Sequence, residues 1–320
     1  MSSNIDFSKK ELLELCISET TKIVKGQDSL VKGIVASLVC EGHLLIEGLP
    51  GLGKTLSVVT LSKICQLDFK RVQFTPDLLP SDLIGTLVYN QGSGEFSTKF
   101  GPIFTQILLT DEINRSPPKV QSSLLEAMAE RQVTIGDKSY KLSSPFVVLA
   151  TQNPIEQEGT YPLPEAQLDR FMMKVSVNYP DFQAEKDVLK FEFENLDDIK
   201  PILNTEKLKS IQDEVNKIYV DDKVKDLIVK IVHCSRPSSP LFDSELKSII
   251  TAGVSPRATI WLFKLSKFYA FLEGRNFVTP EDIMMIAPGV LGHRLALSYE
   301  AKIDNIDANE IAYKLAKSQI

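Results

Sequence analysis

Short apolar runs alternate with helical stretches along the first part of the chain. Between the runs, apolar residues such as Val120, Leu124 and Met128 recur at the spacing of a helix that buries one face. Strands that alternate with helices imply a parallel sheet covered by helices on both faces, so the pattern predicts an α/β fold. The runs with the length and residue types of strands are residues 43–47, 69–74, 107–111, 146–151 and 171–177.

The same part of the chain contains signals for two β-hairpins and an N-terminal helix. Strand-like sequences flank a Gln-Gly-Ser-Gly turn within residues 85–100, and a second pair within 133–142 turns at Gly136. Ser8 and Glu11 fit a capping box, which predicts a helix from Ser8 to about residue 24.

The pattern changes in the middle of the chain. Over residues 181–320 the apolar positions follow helical spacing, as in the one-sided stripe at 224–232, and strand patterns are almost absent. Ser255-Pro256 is a typical helix start. We therefore predict an α/β domain over residues 1–180 and a smaller all-α domain over residues 181–320.

A glycine-rich loop, here called the phosphate loop, separates the first apolar run from the helix after it. Glycines let successive backbone N–H groups cradle phosphate oxygens, a lysine reaches the β/γ-phosphates, and a threonine hydroxyl ligates Mg²⁺. A chance glycine turn is the alternative, but the order of strand, loop and helix favours a nucleotide site. The loop matches the pattern G-x-x-x-x-G-K-[ST] at every position: Gly48, Leu49, Pro50, Gly51, Leu52, Gly53, Lys54 and Thr55.

Two acidic residues, Asp111 and Glu112, close the apolar run at 107–111. Ligands of open α/β sheets bind at the carboxyl ends of strands, so both carboxylates are expected in the same crevice as Lys54. We predict that Asp111 holds Mg²⁺ through water and that Glu112 polarises the water that attacks the γ-phosphate. Two solvated acids at a strand end are the alternative. A glutamate beside a complete phosphate loop favours hydrolysis over binding alone.

Asn153, Arg170 and Arg257 are the remaining candidates for the site. The Asn153 amide follows a predicted strand and can hydrogen-bond the attacking water, although Asn-Pro is also a common turn opener. Arg170 is either a surface arginine paired with Asp169 or a finger that reaches the γ-phosphate of a neighbouring chain. Arg257 stands in the first turn of a helix, so its guanidinium and the helix dipole point toward the same anion.

Composition and charge narrow the class of partner. The chain has 320 residues and a formal net charge of −6, so no bulk attraction to nucleic acid is expected. No segment resembles a signal peptide or a membrane span. The four cysteines and three histidines show no metal-site spacing. We expect a cytoplasmic protein with buried thiols, without a protein-built zinc site and without direct membrane insertion.

Longer runs carry a family resemblance: DEINRSPPK at 111–119, LLEAMAERQV at 124–133, ATQNP at 150–154, GTYPLPEAQLDRF at 159–171 and SPR at 255–257. Together with the phosphate loop, they resemble the MoxR family of AAA+ ATPases, in the clade that carries an insert in its second helix. The resemblance covers nearly the whole chain and is weakest between about residues 183 and 250. It implies an AAA+ P-loop core with the insert at about 85–100, a hairpin at 132–142, and a helical lid domain.

The resemblance also implies roles for the candidate residues: Walker A for Lys54 and Thr55, Walker B for Asp111 and Glu112, sensor 1 for Asn153, arginine finger for Arg170 and sensor 2 for Arg257. The implied cofactors are ATP and Mg²⁺. Two positions depart from the family pattern. Thr110 replaces a small apolar residue, with a hydroxyl able to bond locally, and Gly292 stands where a larger residue is expected. Arg294 is assigned no role.

The function implied by the resemblance is Mg²⁺-dependent ATP hydrolysis coupled to chaperone-like remodelling, assembly or maturation of a protein client. The expected assembly is a homo-oligomeric ring, a hexamer, in which Arg170 acts on the ATP of the adjacent subunit. Arg257 acts on either its own or the neighbouring nucleotide. A partner with a von Willebrand factor A domain is expected. Phe96, Phe100 or the hairpin tip at Gly136 is expected to contact the client at the ring pore; the alternative is that the aromatic side chains pack under their own hairpins.

Two other function classes stay open at this point. Related ring ATPases include nucleic-acid motors, which the acidic charge disfavours and which DNA-stimulated, salt-sensitive hydrolysis would support. An ATP-gated scaffold would assemble on ATP with little turnover. The hydrolysis rates of the wild type and of a Glu112→Gln variant distinguish a scaffold from an ATPase.

Overall fold

Strands and helices alternate through the computed structural model, which describes residues 5–92, 94–154, 159–189, 196 and 199–320. Numbered along the chain, the strands are β1 Leu44–Gly48, β2 Phe69–Gln73, β3 Gly85–Asn90, β4 Glu95–Phe100, β5 Ile107–Asp111, β6 Gln132–Ile135, β7 Lys138–Lys141, β8 Val147–Gln152, β9 Met173–Val177, β10 Ile250–Ala252 and β11 Ala296–Leu297. The α-helices are α1 Ser8–Ile23, α2 Asp28–Cys40, α3 Lys54–Ile64, α4 Pro80–Ile84, α5 Pro118–Glu130, α6 Glu165–Leu168, α7 Phe182–Val188, α8 Thr205–Asn216, α9 Asp222–Cys234, α10 Pro256–Leu272, α11 Pro280–Leu291, α12 Tyr299–Ile303 and α13 Ala308–Lys317. Within these described ranges, no helix has both the length and the apolar character needed to span a membrane.

Five strands of the described chain form one parallel sheet in the order β2-β5-β8-β1-β9. They coincide with the five apolar runs predicted as strands. The central strand β5 is buried along its whole length. Ile107 and Leu109 pack into the core that includes α2 and α3, whereas Leu108 packs into the core that includes α5. Helices therefore cover both faces, and the predicted α/β fold is confirmed.

The two predicted hairpins form and pack against each other. Strand β3 pairs antiparallel with β4, and β6 with β7; Ser93, in the predicted turn of the first hairpin, lies outside the described residues. The hydroxyl oxygens of Thr98 and Tyr140 are 3.0 Å apart, and the ring centroids of Phe100 and Tyr140 are 5.1 Å apart. Phe100 therefore contacts the second hairpin but is still 51% exposed, and Phe96 is 68% exposed.

The helices from α8 to α13 form the predicted helical lid with one addition. Strands β10 and β11 pair antiparallel through Ile250 and Leu297, so this part of the chain is not purely helical. Strands this short carry too little alternation to be recognised in a sequence. The apolar core continues from the sheet into the lid, since Leu44 of β1 and Leu262 of α10 belong to one buried cluster. The domain boundary near residue 181 stays a prediction.

Helix α1 begins at Ser8 as predicted, but another residue closes its first turn. Oδ1 of Asp6 accepts hydrogen bonds from the Ser8 backbone N–H at 3.1 Å and from the Ser8 hydroxyl at 2.5 Å. The predicted capping box of Ser8 and Glu11 does not form. Lys9 in the same turn forms a 3.0 Å ion pair with Glu214 of α8, which ties the start of α1 to the lid.

Thr110, the buried residue of β5 directly before Asp111, has a hydroxyl without a hydrogen-bond partner among the described residues. The expectation of a local bond at this position is therefore wrong. Removing an unsatisfied buried hydroxyl while keeping the side-chain shape relieves its desolvation cost. We expect Thr110→Val to raise the free energy of unfolding by about 1 kcal/mol, measured by urea denaturation.

The matched control is Thr20→Val, because the buried Thr20 hydroxyl donates to the carbonyl oxygen of Cys16 at 2.7 Å. This variant loses a hydrogen bond and should not gain stability. A lower unfolding free energy in Thr110→Val than in the wild type would contradict the assignment of an unsatisfied hydroxyl.

Candidate active site

The phosphate loop leaves the carboxyl end of β1 and enters α3 at Lys54. Gly51 and Gly53 have left-handed backbone conformations, with φ angles of 83° and 79°. A Cβ atom added to Gly51 would meet no atom within 4 Å, so the loop borders open space there. The loop thus has the open, glycine-dependent shape of an anion cradle at a helix N-terminus.

Lys54 is half-buried at the first position of α3. Its ammonium group donates hydrogen bonds to the carbonyl oxygens of Gly48 and Leu49, the latter at 3.0 Å. Burial lowers the pKa of Lys54, and the negative charges of Asp111 and Glu112 oppose that shift. Asp111 ends β5, Glu112 follows it, and Lys54 follows the loop after β1, so the three residues lie at the carboxyl edge of one parallel sheet, where the acids act electrostatically on the lysine.

Asp111 is buried at the end of β5 and is held from two sides. Its Oδ2 accepts a hydrogen bond from Nε of Arg71 at 2.5 Å, and its Oδ1 accepts one from the Thr151 hydroxyl at 3.3 Å. The Thr151 oxygen also accepts the backbone N–H of Glu112 at 3.0 Å. Thr151 therefore ties the ends of β5 and β8 together, although the sequence pattern marks it only as the end of an apolar run.

Glu112 has a left-handed backbone conformation, with φ 56° and ψ 53°. This conformation costs a residue with a side chain roughly 1 kcal/mol or more, and such strain concentrates where the direction of a side chain matters. Oε2 of Glu112 accepts hydrogen bonds from Gln73 at 2.8 Å and from Arg115 at 3.0 Å. Both contacts use the same oxygen, which leaves Oε1 for a water molecule.

Asn153 directly follows β8 and is buried. Because β8 lies between β5 and β1 in the sheet, Asn153 stands between the acids at the end of β5 and the phosphate loop at the end of β1. A turn opener accounts for the backbone at this position but does not require the side chain to be buried.

The donor atoms at this edge suit Mg²⁺, which prefers hard oxygen ligands and keeps several of its waters. The Thr55 hydroxyl is available in the first turn of α3, directly after Lys54. The Asp111 carboxylate retains lone pairs beyond its bonds to Arg71 and Thr151. Thr55 and Asp111 together are therefore able to hold Mg²⁺, the carboxylate through water.

The loop between α1 and α2, which the sequence pattern marks only as a helix break, lies beside the phosphate loop. Cγ1 of Val24 is 3.4 Å from the position that a Cβ on Gly53 would occupy. The buried Gln27 donates from Nε2 to the carbonyl oxygen of Asn178 at 3.0 Å. This loop is therefore fixed between the phosphate loop and the chain that follows β9. The break between two helical stretches at Gly26-Gln27 is the only sequence signal that could have indicated this position of the loop.

Asp169 contacts the lid rather than Arg170. Its Oδ2 accepts a hydrogen bond from Arg257 at 3.0 Å, and its two carboxylate oxygens accept the Ser255 hydroxyl at 2.7 and 2.8 Å. The alternative in which Arg170 pairs with Asp169 is therefore wrong. Within the part of the chain that the structure describes, no hydrogen bond or ion pair holds the Arg170 guanidinium, whereas the Arg257 guanidinium pairs with Asp169.

Arg294, which the sequence leaves without a role, is buried at the same junction, with 1% of its side chain exposed. Burial raises the pKa of Asp169, but Ser255, Arg257 and Arg294 outweigh burial, and the net pKa lies below its ordinary value. All five N–H groups of the Arg294 guanidinium donate hydrogen bonds: Nε to Oδ1 of Asp169 at 3.0 Å, and the two terminal nitrogens to the carbonyl oxygens of Asp169, Phe171, Met172 and Val290.

Comparison with known proteins agrees with this architecture. Residues 43–173 match the model of the ATPase family associated with various cellular activities (AAA), and residues 244–315 match the AAA lid domain. The crystal structure of a protein from Cytophaga hutchinsonii, designated an ATPase, has a TM-score of 0.88 and 44% sequence identity. That similarity covers 97% of this chain and 94% of the other.

Similarity to named proteins identifies which family of AAA ATPases the chain resembles. Chaperone MoxR1 of Mycobacterium tuberculosis is 44% identical over 92% of this chain and 78% of its own length. Protein YeaC of Bacillus subtilis is 44% identical over 95% of this chain and 93% of its own length. Protein MoxR of Methylorubrum extorquens is 29% identical over 87% of this chain and 86% of its own length. The chain therefore belongs to the MoxR family of AAA+ ATPases, which are chaperone-like, nucleotide-binding enzymes that form oligomers.

Proposed function

We propose that ATP binds in the phosphate loop and that its hydrolysis drives chaperone-like remodelling of a protein client. The observation that carries this proposal is the left-handed backbone of Glu112, whose negative charge acts on Lys54 at the same edge of the sheet. Nucleotide binding alone does not need a strained glutamate at this point, whereas activation of a water molecule does need a directed carboxylate.

The residues of the site divide the work of hydrolysis. The loop from Gly48 to Gly53 surrounds the phosphates with backbone N–H groups, and Lys54 balances the charge of the β/γ-phosphates. Oε1 of Glu112 accepts a proton from the attacking water, while Oε2 stays hydrogen-bonded. The Asn153 amide orients that water or a γ-phosphate oxygen without opposing charge.

Thr55 and Asp111 are the residues that would hold Mg²⁺, because the Thr55 hydroxyl follows Lys54 in the first turn of α3 and the Asp111 charge acts on Lys54. When bound there, the ion neutralises charge on the phosphate oxygens. Arg71 donates a hydrogen bond to Oδ2 of Asp111 and so restricts the orientation of that carboxylate.

We further propose a closed ring, a hexamer, in which Arg170 completes the site of the neighbouring chain. Its guanidinium has no partner within the described part of its own chain, as is required of a group that acts across an interface. Head-to-tail contacts of this kind close into rings. Arg257 is the second cationic group of the site, in its own chain or in the neighbour's.

The proposed partners are a protein client and a protein with a von Willebrand factor A domain. Support comes from the family resemblance and from the first hairpin, where the rings of Tyr89 and Phe96 lie 5.2 Å apart and are exposed. Exposed aromatic side chains on a hairpin are suited to transient contact with an unfolded or extended segment.

Client capture by a chain that binds ATP without hydrolysing it tests this function. A Glu112→Gln chain loaded with ATP should retain its client and the von Willebrand factor A partner from native extract, and release both in ADP. Lys54→Ala, which loses the phosphate contact, is the control and should retain neither. Equal capture in ATP and ADP would contradict a remodelling cycle driven by hydrolysis.

A further inference from the structure

Two arginines of the lid share the carboxylate of Asp169, but they are held in different ways. Arg294 is 1% exposed and uses all its N–H groups, two of them on Asp169 itself. Arg257 is 47% exposed, and among the described residues its guanidinium makes one hydrogen bond, from NH1 to Oδ2 of Asp169. The same acid thus has one fixed partner and one partner that can leave.

Arg294 cannot leave without strong destabilisation. Its charge is buried, and its remaining contacts are carbonyl oxygens of the segment that follows Asp169 and of helix α11. Separating a buried charge from its counter-ion leaves both groups uncompensated. Arg294 therefore fixes both the backbone and the carboxylate of Asp169, one residue before Arg170.

Arg257 can leave at little cost, because ion pairs that are half exposed are weak. When it leaves, the Asp169 carboxylate keeps Arg294 on Oδ1 and the Ser255 hydroxyl on both oxygens. The junction carries two positive charges against one carboxylate, so a further anion is attracted to Arg257. A γ-phosphate group supplies such an anion, while ADP lacks it.

We propose that Asp169 is a positioning residue that holds Arg257 in competition with the γ-phosphate of ATP. The proposal rests on the proposed role of Arg257 as a phosphate-binding group. Asp169 thereby reduces the affinity for ATP relative to ADP, because binding of the γ-phosphate must first displace Arg257 from Asp169.

Asp169→Asn tests the competition. The asparagine oxygen can still accept Nε of Arg294, and its amide NH₂ can donate to the Ser255 oxygen, but it cannot accept Arg257 as a carboxylate does. The dissociation constants of ATP and ADP are measured in a Glu112→Gln background, so that ATP is not consumed. We expect the ratio of the ADP constant to the ATP constant to rise about two- to fivefold, the range for a half-exposed ion pair.

The Arg257→Ala variant tests the role of Arg257 separately from the role of Asp169. If Arg257 binds the γ-phosphate, this variant lowers the ratio, and adding Asp169→Asn to it changes nothing further. An unchanged ratio in Arg257→Ala would overturn the proposed role of Arg257. A lowered ratio in Arg257→Ala together with an unchanged or lowered ratio in Asp169→Asn would overturn the role of Asp169 alone.

Ser255→Asp gives a second test if Asp169→Asn fails to fold, as judged by circular dichroism. Aspartate is a good helix N-cap; the substitution removes the Ser255 hydroxyl bond to Asp169, but the two arginines then balance the charges of two carboxylates. The added carboxylate beside Arg257 should hold it more strongly and lower the ratio about twofold or more. The same substitution in the Arg257→Ala background should have no such effect. An unchanged ratio with Arg257 present would overturn the proposal.

Discussion

Replacing Glu112 with glutamine is expected to lower ATP turnover by on the order of 10² to 10⁴-fold, the contribution of a positioned general base. Glutamine has nearly the same shape and can keep the hydrogen bond from Arg115, but it cannot take a proton from water. ATP affinity should persist, because Lys54 and the phosphate loop are unchanged. Steady-state hydrolysis and equilibrium binding of ATP measure the two effects separately.

The matched control is Glu310→Gln, the same change at an exposed position of α13. Its turnover should equal that of the wild type. If Glu112→Gln also hydrolyses ATP at the wild-type rate, Glu112 is not the base and the strained backbone at this position has another cause. If Glu112→Gln loses ATP binding, the carboxylate is needed to bind ATP rather than to catalyse its hydrolysis.

The sheet and its functional edge could be predicted because both depend on local patterns. Each strand of the sheet is a short run bounded by turns or helices, and such runs are visible without knowledge of the fold. In a parallel sheet, the residues that follow the strands meet at one edge whatever their separation in sequence. Lys54, Asp111 and Glu112 therefore lie at the same edge of the sheet, whereas the shared crevice stays a prediction.

The junction of core and lid could not be predicted, because it depends on packing between distant segments. Asp169 and Arg294 are 125 positions apart, and most acceptors of Arg294 are backbone carbonyls, which every residue type carries. Gly292 is a second position whose packing against a distant segment could not be predicted from the sequence. A Cβ atom there would come within 2.2 Å of Oδ1 of Asn309, so the larger residue expected from the family pattern requires the Asn309 side chain to move.

Replacing Arg170 with alanine is expected to lower turnover by on the order of 10³-fold, the contribution of an arginine finger. The loss should be confined to the reaction, since no contact within the described chain depends on this guanidinium. ATP binding and the midpoint of thermal unfolding should therefore match the wild type. Hydrolysis at the wild-type rate would remove Arg170 from the site, and a lowered midpoint would assign it a structural role instead.

Mixing two inactive variants tests whether Arg170 acts on the neighbouring chain. A chain with Arg170→Ala keeps Glu112, and a chain with Glu112→Gln keeps Arg170, so an interface between them in one orientation contains a complete site. Head-to-tail contacts are directional, so random assembly of equal amounts should give a complete site at about a quarter of the interfaces. Turnover should therefore recover to about a quarter of the wild-type rate. The control mixes Glu112→Gln chains with chains that carry both substitutions, where every site lacks its base and no recovery is expected. If sizing shows mixed rings but turnover stays at the level of the separate variants, Arg170 acts within its own chain and the site is complete without a neighbour.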